Sequence, residues 1–297
     1  MTDARSIAIP FAVATAGIAL FSMMDALMKV LSLAIGTYNA LLWRTMAGAL
    51  VGGLVFFGRR LPWPSRAAMR LHLTRGVLSV FMALSFFWGL ARVPMAQAIA
   101  LAFVAPLISL FLAAFLLGEK IERRAILASL LGFAGVGVIF AGQARAELGP
   151  ETFRGSLSIL ASACLYAYNI VLMRRQAQLA KPLEVAFFVS LIMTSGFLLA
   201  APWLAVPPPP EQLPAIAGAA LLAFFSLILL SWAYARAEAQ HLAPVEYTSF
   251  IWAAALGWLI FAEPVLPATL VGAAMIIVAC LVAASRPARA VDPETGL

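Results

Sequence analysis

The sequence predicts an all-α integral membrane protein of ten transmembrane helices. Three observations predict it. Hydrophobic residues make up 64% of the 297 residues and charged residues only 11%. The charges fall almost entirely between apolar runs, and since a spanning helix takes about 20 apolar residues, the chain has room for about ten. The sequence also repeats when slid against itself by 144 residues, so that the ten runs read as two sets of five.

Apolar windows bounded by Gly, Pro and charge place the spans as follows. The first, 7–33, carries Asp25 and Lys29 and is too long for a cleaved signal segment, so it reads as a retained helix. The second, 38–57, holds Arg44, and the third, 73–91, ends at Arg92. The fourth, 95–117, contains Gln97, Phe103 and Pro106, and the fifth is 125–141. The sixth, 156–173, is followed by 183–205, which runs into the stiff loop Pro207 to Pro210. The last three are 213–234, 243–261 and 266–284. The largest gap, 58–72, reads as an amphipathic stretch on the membrane interface.

Charge sets the orientation. With the N-terminus inside, the cytoplasmic segments hold Arg5, Arg59, Arg60, Arg66, Arg70, Arg75, Lys120, Arg123, Arg124, Arg174, Arg175, Lys181, Arg236, Arg286 and Arg289. The other side holds only Arg92, Arg145 and Arg154. This bias predicts both termini in the cytoplasm of a bacterial inner-membrane protein, in agreement with an even number of spans. The net charge of +7 then faces anionic headgroups and calls for no nucleic acid. Cys164 and Cys280 lie inside spans without nearby His or Cys, which suggests neither disulfide nor metal site.

The shift of 144 aligns Phe81 with Phe225, Trp88 with Trp232, Arg92 with Arg236, Leu112 with Leu256 and Glu119 with Glu263, without a gap. Five spans per copy is an odd number, so the second copy, 146–297, enters the membrane inverted relative to the first, 1–145. Inverted repeats around a midplane site are the usual construction of secondary transporters.

The stretch from Ala91-Arg92 through Pro106 to Leu117-Gly118-Glu119-Lys120, and Phe261-Ala262-Glu263-Pro264 followed by Gly272, resemble the drug/metabolite transporter superfamily in its branch of two EamA-type halves. Within it the chain looks most like the YddG-type exporters of aromatic and other amino acids. The resemblance implies an inner-membrane exporter with a central cavity. It also shows a departure: where the second half of the family often has a proline matching Pro106, this chain has Phe250.

Several residues are candidates for the path. Phe81, Ser85, Trp88 and Arg92 share one helical face, repeated by Phe225, Leu229, Trp232 and Arg236. That face is either a cavity wall, to which Met82 adds, or an interfacial anchor. Ser158, Ser162, Tyr166 and Asn169 form a polar face, with the cavity the reading for Tyr166 and Asn169 and helix packing for the serines. Ser249, Phe250 and Trp252 lie near mid-depth in the ninth span, and Phe103 in the fourth. Glu246 either gates or reaches water, Arg236 or His241. Asp25, Lys29 and Arg44 are intramembrane charges, either a coupling site with Asp25 as proton carrier or a self-neutralised cluster. Glu119 and Glu263 read as caps or loop anchors, and Pro106 as a candidate hinge.

Enzyme readings find no support. Only His72 and His241 are present, and the chain has no paired-carboxylate motif, nucleophile elbow or phosphate loop. A receptor would need a sensing domain that the short loops do not accommodate. The leading expectation is a cofactor-free exporter of aromatic or other neutral amino acids by alternating access, its partners being a small-molecule substrate and the bilayer. The oligomeric state stays open. A nucleotide-sugar or sugar-phosphate carrier is the alternative, with Lys29 and Arg44 as phosphate ligands; a lipophilic drug exporter is another.

Overall fold

A computed structural model describes residues 4–117, 123–146, 149–236, 242 and 245–284, and among these the chain is helical, with no strand. In order, the helices are α1 (Ala4–Ile35), α2 (Thr37–Gly58), α3 (Arg66–Leu90), α4 (Met95–Ala102), α5 (Ala105–Leu117), α6 (Arg123–Arg145), α7 (Gly149–Ala177) and α8 (Pro182–Leu198). After the single turn α9 (Ala201–Leu204) come α10 (Leu213–Tyr234), α11 (Thr248–Phe261) and α12 (Pro267–Ala284). Seven helical segments are long and apolar enough to cross a membrane, and three more, Pro182–Leu198, Thr248–Phe261 and Pro267–Ala283, are apolar but shorter.

Three departures from the sequence reading have local causes. The stretch 58–72 is not one element: residues 61–65 have no regular secondary structure, and α3 starts at Arg66. Ser65 caps it, its Oγ accepting from the Ala68 N–H at 3.2 Å. The arginines at 66, 70 and 75 lower the hydropathy of the first three turns and hid them. The fourth run is two helices, broken at Phe103–Val104, because Pro106 has no N–H to give the Ala102 carbonyl. The sixth run begins a full two turns early, at Gly149, whose φ of +82° only glycine adopts freely.

Packing joins elements that are distant in the chain. α1 lies along α10 and α3 along α7, while α2 pairs with α8 and α6 with α12. α3 also meets α8 and α2 meets α10; α5 meets α7 and α1 meets α11; α4 crosses α11. Small residues permit the tightest approach. A Cβ on Gly272 would stand 2.6 Å from the Gly135 carbonyl oxygen and 2.5 Å from Ile139 Cγ1. Since the opposing atom is backbone, Gly272→Leu is expected to destabilise the α6–α12 seam by about 1–3 kcal/mol or more, read as a fall in detergent thermal stability. An unchanged midpoint would refute the close approach.

Candidate functional site

Two polar centres occupy opposite ends of the same helices, and a helix break lies between them. At the first, Lys29 Nζ forms an ion pair with Glu263 and donates to the Val93 carbonyl at 2.7 Å. Glu263 Oε2 accepts from the backbone N–H of Met95, the first residue of α4, at 2.8 Å. The Lys29 ammonium also stands 5.0 Å from the Phe261 ring centroid. The two side chains are only 4% and 19% exposed. They tie α1 and the start of α4 to the end of α11, and they line a cavity of about 360 Å³ with Leu33, Ala91, Arg92, Val93, Pro94, Thr152 and Phe261.

This arrangement narrows the charge-cluster reading, in which Asp25 neutralises one or both cations. Asp25 does not neutralise Lys29; the acid that does is Glu263, 234 residues away in sequence. Asp25 and Arg44 keep each other as electrostatic partners, and the buried Asp25 Oδ1 accepts no hydrogen bond within the protein. Glu263 does cap and anchor, as expected, because it satisfies the α4 N-terminus; the cation is the addition. Its counterpart Glu119, with Lys120, lies outside the described residues.

The second centre was largely missed from sequence. Arg75 is in the third turn of α3, inside the helix and not in a loop, and half-buried. Its Nε donates to Asn169 Oδ1 at 2.9 Å, and Nη1 donates to Gln176 Oε1, both on α7. The Gln176 amide lies 2.7 Å from His72 Nδ1, and His72 Nε2 lies 2.9 Å from Glu184 Oε1. A Gln176 N–H donor makes Nδ1 the acceptor, so Nε2–H donates to Glu184 and the chain has one direction throughout. His72 is fully buried and stacked on Phe188, 5.2 Å between centroids. Tyr234 on α10 donates to Glu246 Oε1 at 2.8 Å. Glu246 therefore takes neither partner expected of it among the described residues: Arg236 stacks on Trp232 at 4.1 Å, and His241 lies outside them. Tyr166 stands within electrostatic reach of Arg75, Glu246 and Tyr234 alike.

Between the centres, the break after α4 at Phe103 faces Tyr247, the turn residue that precedes α11. Their rings meet edge-on, 5.3 Å apart, and Cys280 Sγ donates to the Phe103 carbonyl. Phe103 and Tyr247 are 144 residues apart, as are Trp88–Arg92 and Trp232–Arg236. In both of those pairs the guanidinium folds over its own tryptophan and bonds its carbonyl. A second break is thus present although Phe250, partly buried against the core, replaces a proline.

Of the other candidates, Ser158 and Ser162 donate to the carbonyls of Ser85 and Met82, which is packing of α7 on α3. The Ser249 hydroxyl is taken up by its own helix at the Glu246 carbonyl, 2.6 Å away, so this structure gives it no free donor for a ligand. Phe81 and Trp252 are exposed, and neither makes a ring contact with another aromatic residue among the described residues. Pro106 is exposed beside the break it causes.

Known proteins resemble this chain throughout its length. A model of the EamA-like transporter family matches residues 8–141 and again 153–285. A pseudopaline exporter of Pseudomonas aeruginosa is 25% identical over 265 residues, 88% of this chain and 90% of that protein. An S-adenosylmethionine uptake transporter of Rickettsia prowazekii is 25% identical over 88% of this chain and 87% of its own length. A riboflavin transporter of Rhizobium johnstonii is 28% identical over 77% and 72%. One crystal structure shares the fold, with a TM-score of 0.61 at 21% identity, covering 94% of this chain and 98% of that one. The chain belongs to the EamA-like transporter family of the drug/metabolite transporter superfamily, and is a multi-pass membrane transporter of small molecules.

Proposed function

We propose that this protein is a secondary transporter of neutral amino acids, aromatic ones included, in a bacterial inner membrane, working by alternating access between two inverted five-helix halves, 1–145 and 146–297. The observation that carries the reading is the pair of broken helices: α4–α5 and the segment ahead of α11 interrupt at residues 144 apart and touch there. Unwound or broken helices crossing near the midplane are where such transporters hold their substrate. In this reading the seven long helices and three shorter ones are ten spans. The double family match supports the two halves, as does packing that comes in corresponding sets, α1–α10 with α3–α7 and α1–α11 with α5–α7. The positive-inside bias then puts Lys29 and Glu263 at the outer end and Arg75 and Glu246 toward the cytoplasm.

Tyr166, Phe81, Met82, Phe103 and Trp252 supply ring and thioether surface, which suits apolar side chains on a small polar head, while the buried Asn169 holds Arg75 from behind. S-adenosylmethionine, the cargo named for one relative, carries an α-amino carboxylate. Export is the direction that the YddG-type resemblance implies. The sugar-phosphate reading asks Lys29 and Arg44 to converge on a phosphate, whereas here Glu263 holds Lys29 and Arg44 faces Asp25.

The test is counterflow in proteoliposomes with labelled phenylalanine, methionine, leucine, glutamate, a nucleotide sugar and a lipophilic cation. Saturable exchange of the neutral amino acids is expected. Exchange of the nucleotide sugar or cation alone would replace the substrate assignment. Within the same assay, Tyr166→Ala is expected to weaken apparent affinity by about tenfold, the loss of about 1.4 kcal/mol of ring contact and hydrogen bonding; an unchanged affinity would remove Tyr166 from the site.

A further inference from the structure

We infer that Arg75 and Glu246 are the headgroup site of the transporter, Arg75 taking the carboxylate and Glu246 the ammonium of a zwitterionic α-amino acid; this deepens the amino-acid reading and rests on it. An arginine inside a membrane span is costly and is normally matched by an acid. Arg75 is not: both of its protein partners are neutral amide oxygens, Asn169 Oδ1 and Gln176 Oε1, and among the described residues no carboxylate forms an ion pair with it. The acid that lies nearby in the fold, Glu184, is engaged by His72 instead. The two amide bonds occupy two of the five guanidinium N–H donors, which leaves donors on both terminal nitrogens, the edge that grips a carboxylate through two parallel bonds.

The support behind Arg75 is what a built site requires. Asn169 and Gln176 fix the guanidinium plane from α7; Gln176 is fixed by His72, and His72 by Glu184 on α8 and by the Phe188 face. Four of these side chains, His72, Asn169, Gln176 and Glu184, are buried. A cation that served only to face headgroups would need none of them. Opposite, Glu246 is held by the Tyr234 hydroxyl, again a neutral partner, and no described cation pairs with it. The two charges, neither of them in an ion pair among the described residues, come from different halves of the chain, with the exposed Tyr166 in the field of both. α7, which carries Tyr166 and the two amides that hold Arg75, packs mainly along α3, α4 and α5, and Arg75 and Glu246 both lie within electrostatic reach of Tyr166.

A positive and a negative group, each tethered by neutral partners and both within reach of the Tyr166 ring, match the two ends of an α-amino acid with its side chain against the ring. A dianionic phosphate would meet Glu246 as a repulsion, and a simple cation would meet Arg75.

The experiment is counterflow of labelled L-phenylalanine, competed by phenethylamine, which lacks the carboxylate, and by 3-phenylpropionate, which lacks the amine. In the unaltered protein both are expected to compete far more weakly than phenylalanine. Arg75→Gln is expected to weaken phenylalanine by roughly 10- to 100-fold while leaving phenethylamine unchanged, since each lost charge-assisted contact is of that size. Glu246→Gln is expected to do the same for phenylalanine while sparing 3-phenylpropionate. Glu246 is exposed, so Glu246→Gln is expected to fold; should Arg75→Gln not, Arg75→Lys keeps the charge, loses the fork and is expected to lie between. Amino-acid exchange that persists with its analogue selectivity intact in both variants overturns the site alone. Absence of exchange for every zwitterion in the unaltered protein overturns the amino-acid reading as well.

Discussion

Lys29→Met alone is expected to destabilise the protein by about 3–5 kcal/mol and to abolish transport, whereas the double variant Lys29→Met with Glu263→Gln regains most of the stability and little of the transport. Removing one member of a buried pair leaves the other charge unpaired, which is the expensive outcome, while replacing both with neutral groups is often close to neutral. Glutamine at 263 keeps a side-chain oxygen for the Met95 N–H, so the α4 cap survives. What the double variant lacks is the ionic tie between α1 and the end of α11. Thermal unfolding in detergent beside counterflow separates the two effects. A Lys29→Met protein as stable and as active as the parent would show that the pair is ornamental.

His72→Leu is the second large effect. Leucine fills the space against Phe188 but removes both ring nitrogens, leaving the Gln176 amide without its acceptor and Glu184 without its donor in a buried setting. Each orphaned group costs about 1–3 kcal/mol, more for the carboxylate, so a loss of about 3–5 kcal/mol is expected. Gln176, no longer held, then ceases to orient Arg75, and apparent substrate affinity falls with stability. His72→Gln, which keeps a donor and an acceptor, is expected to recover part of both; equal loss in the two variants would deny the relay.

What the sequence made legible, and what it hid, follow one physical division. Runs such as α2, α10 and α12 were readable because burial in lipid selects apolar residues all round, and composition registers that directly. The repeat was readable from Trp and Arg at matched positions, and both pairs have matching local geometry. Arg75 was misread because hydropathy treats any arginine near a boundary as solvated; only the Ser65 cap signalled that α3 starts two turns earlier. The Lys29–Glu263 pair was invisible for another reason. Asp25 sits one turn from Lys29, and proximity in sequence suggested the wrong acid, because contacts across 234 residues depend on how the halves pack. The break at Tyr247 was missed since Phe250 stands where the first half has Pro106.

In the proposed alternating-access cycle one path runs between the halves, and the Lys29–Glu263 pair closes its outer end. The most direct measurement is the accessibility of a single cysteine, Tyr166→Cys in a background carrying Cys164→Ala and Cys280→Ala, to a membrane-impermeant maleimide added from outside. Slow labelling is predicted with the pair intact, and labelling faster by at least an order of magnitude when Lys29→Met and Glu263→Gln are added, as expected for an equilibrium shifted by a few kcal/mol. The same slow rate in both proteins would show that the pair does not close the path.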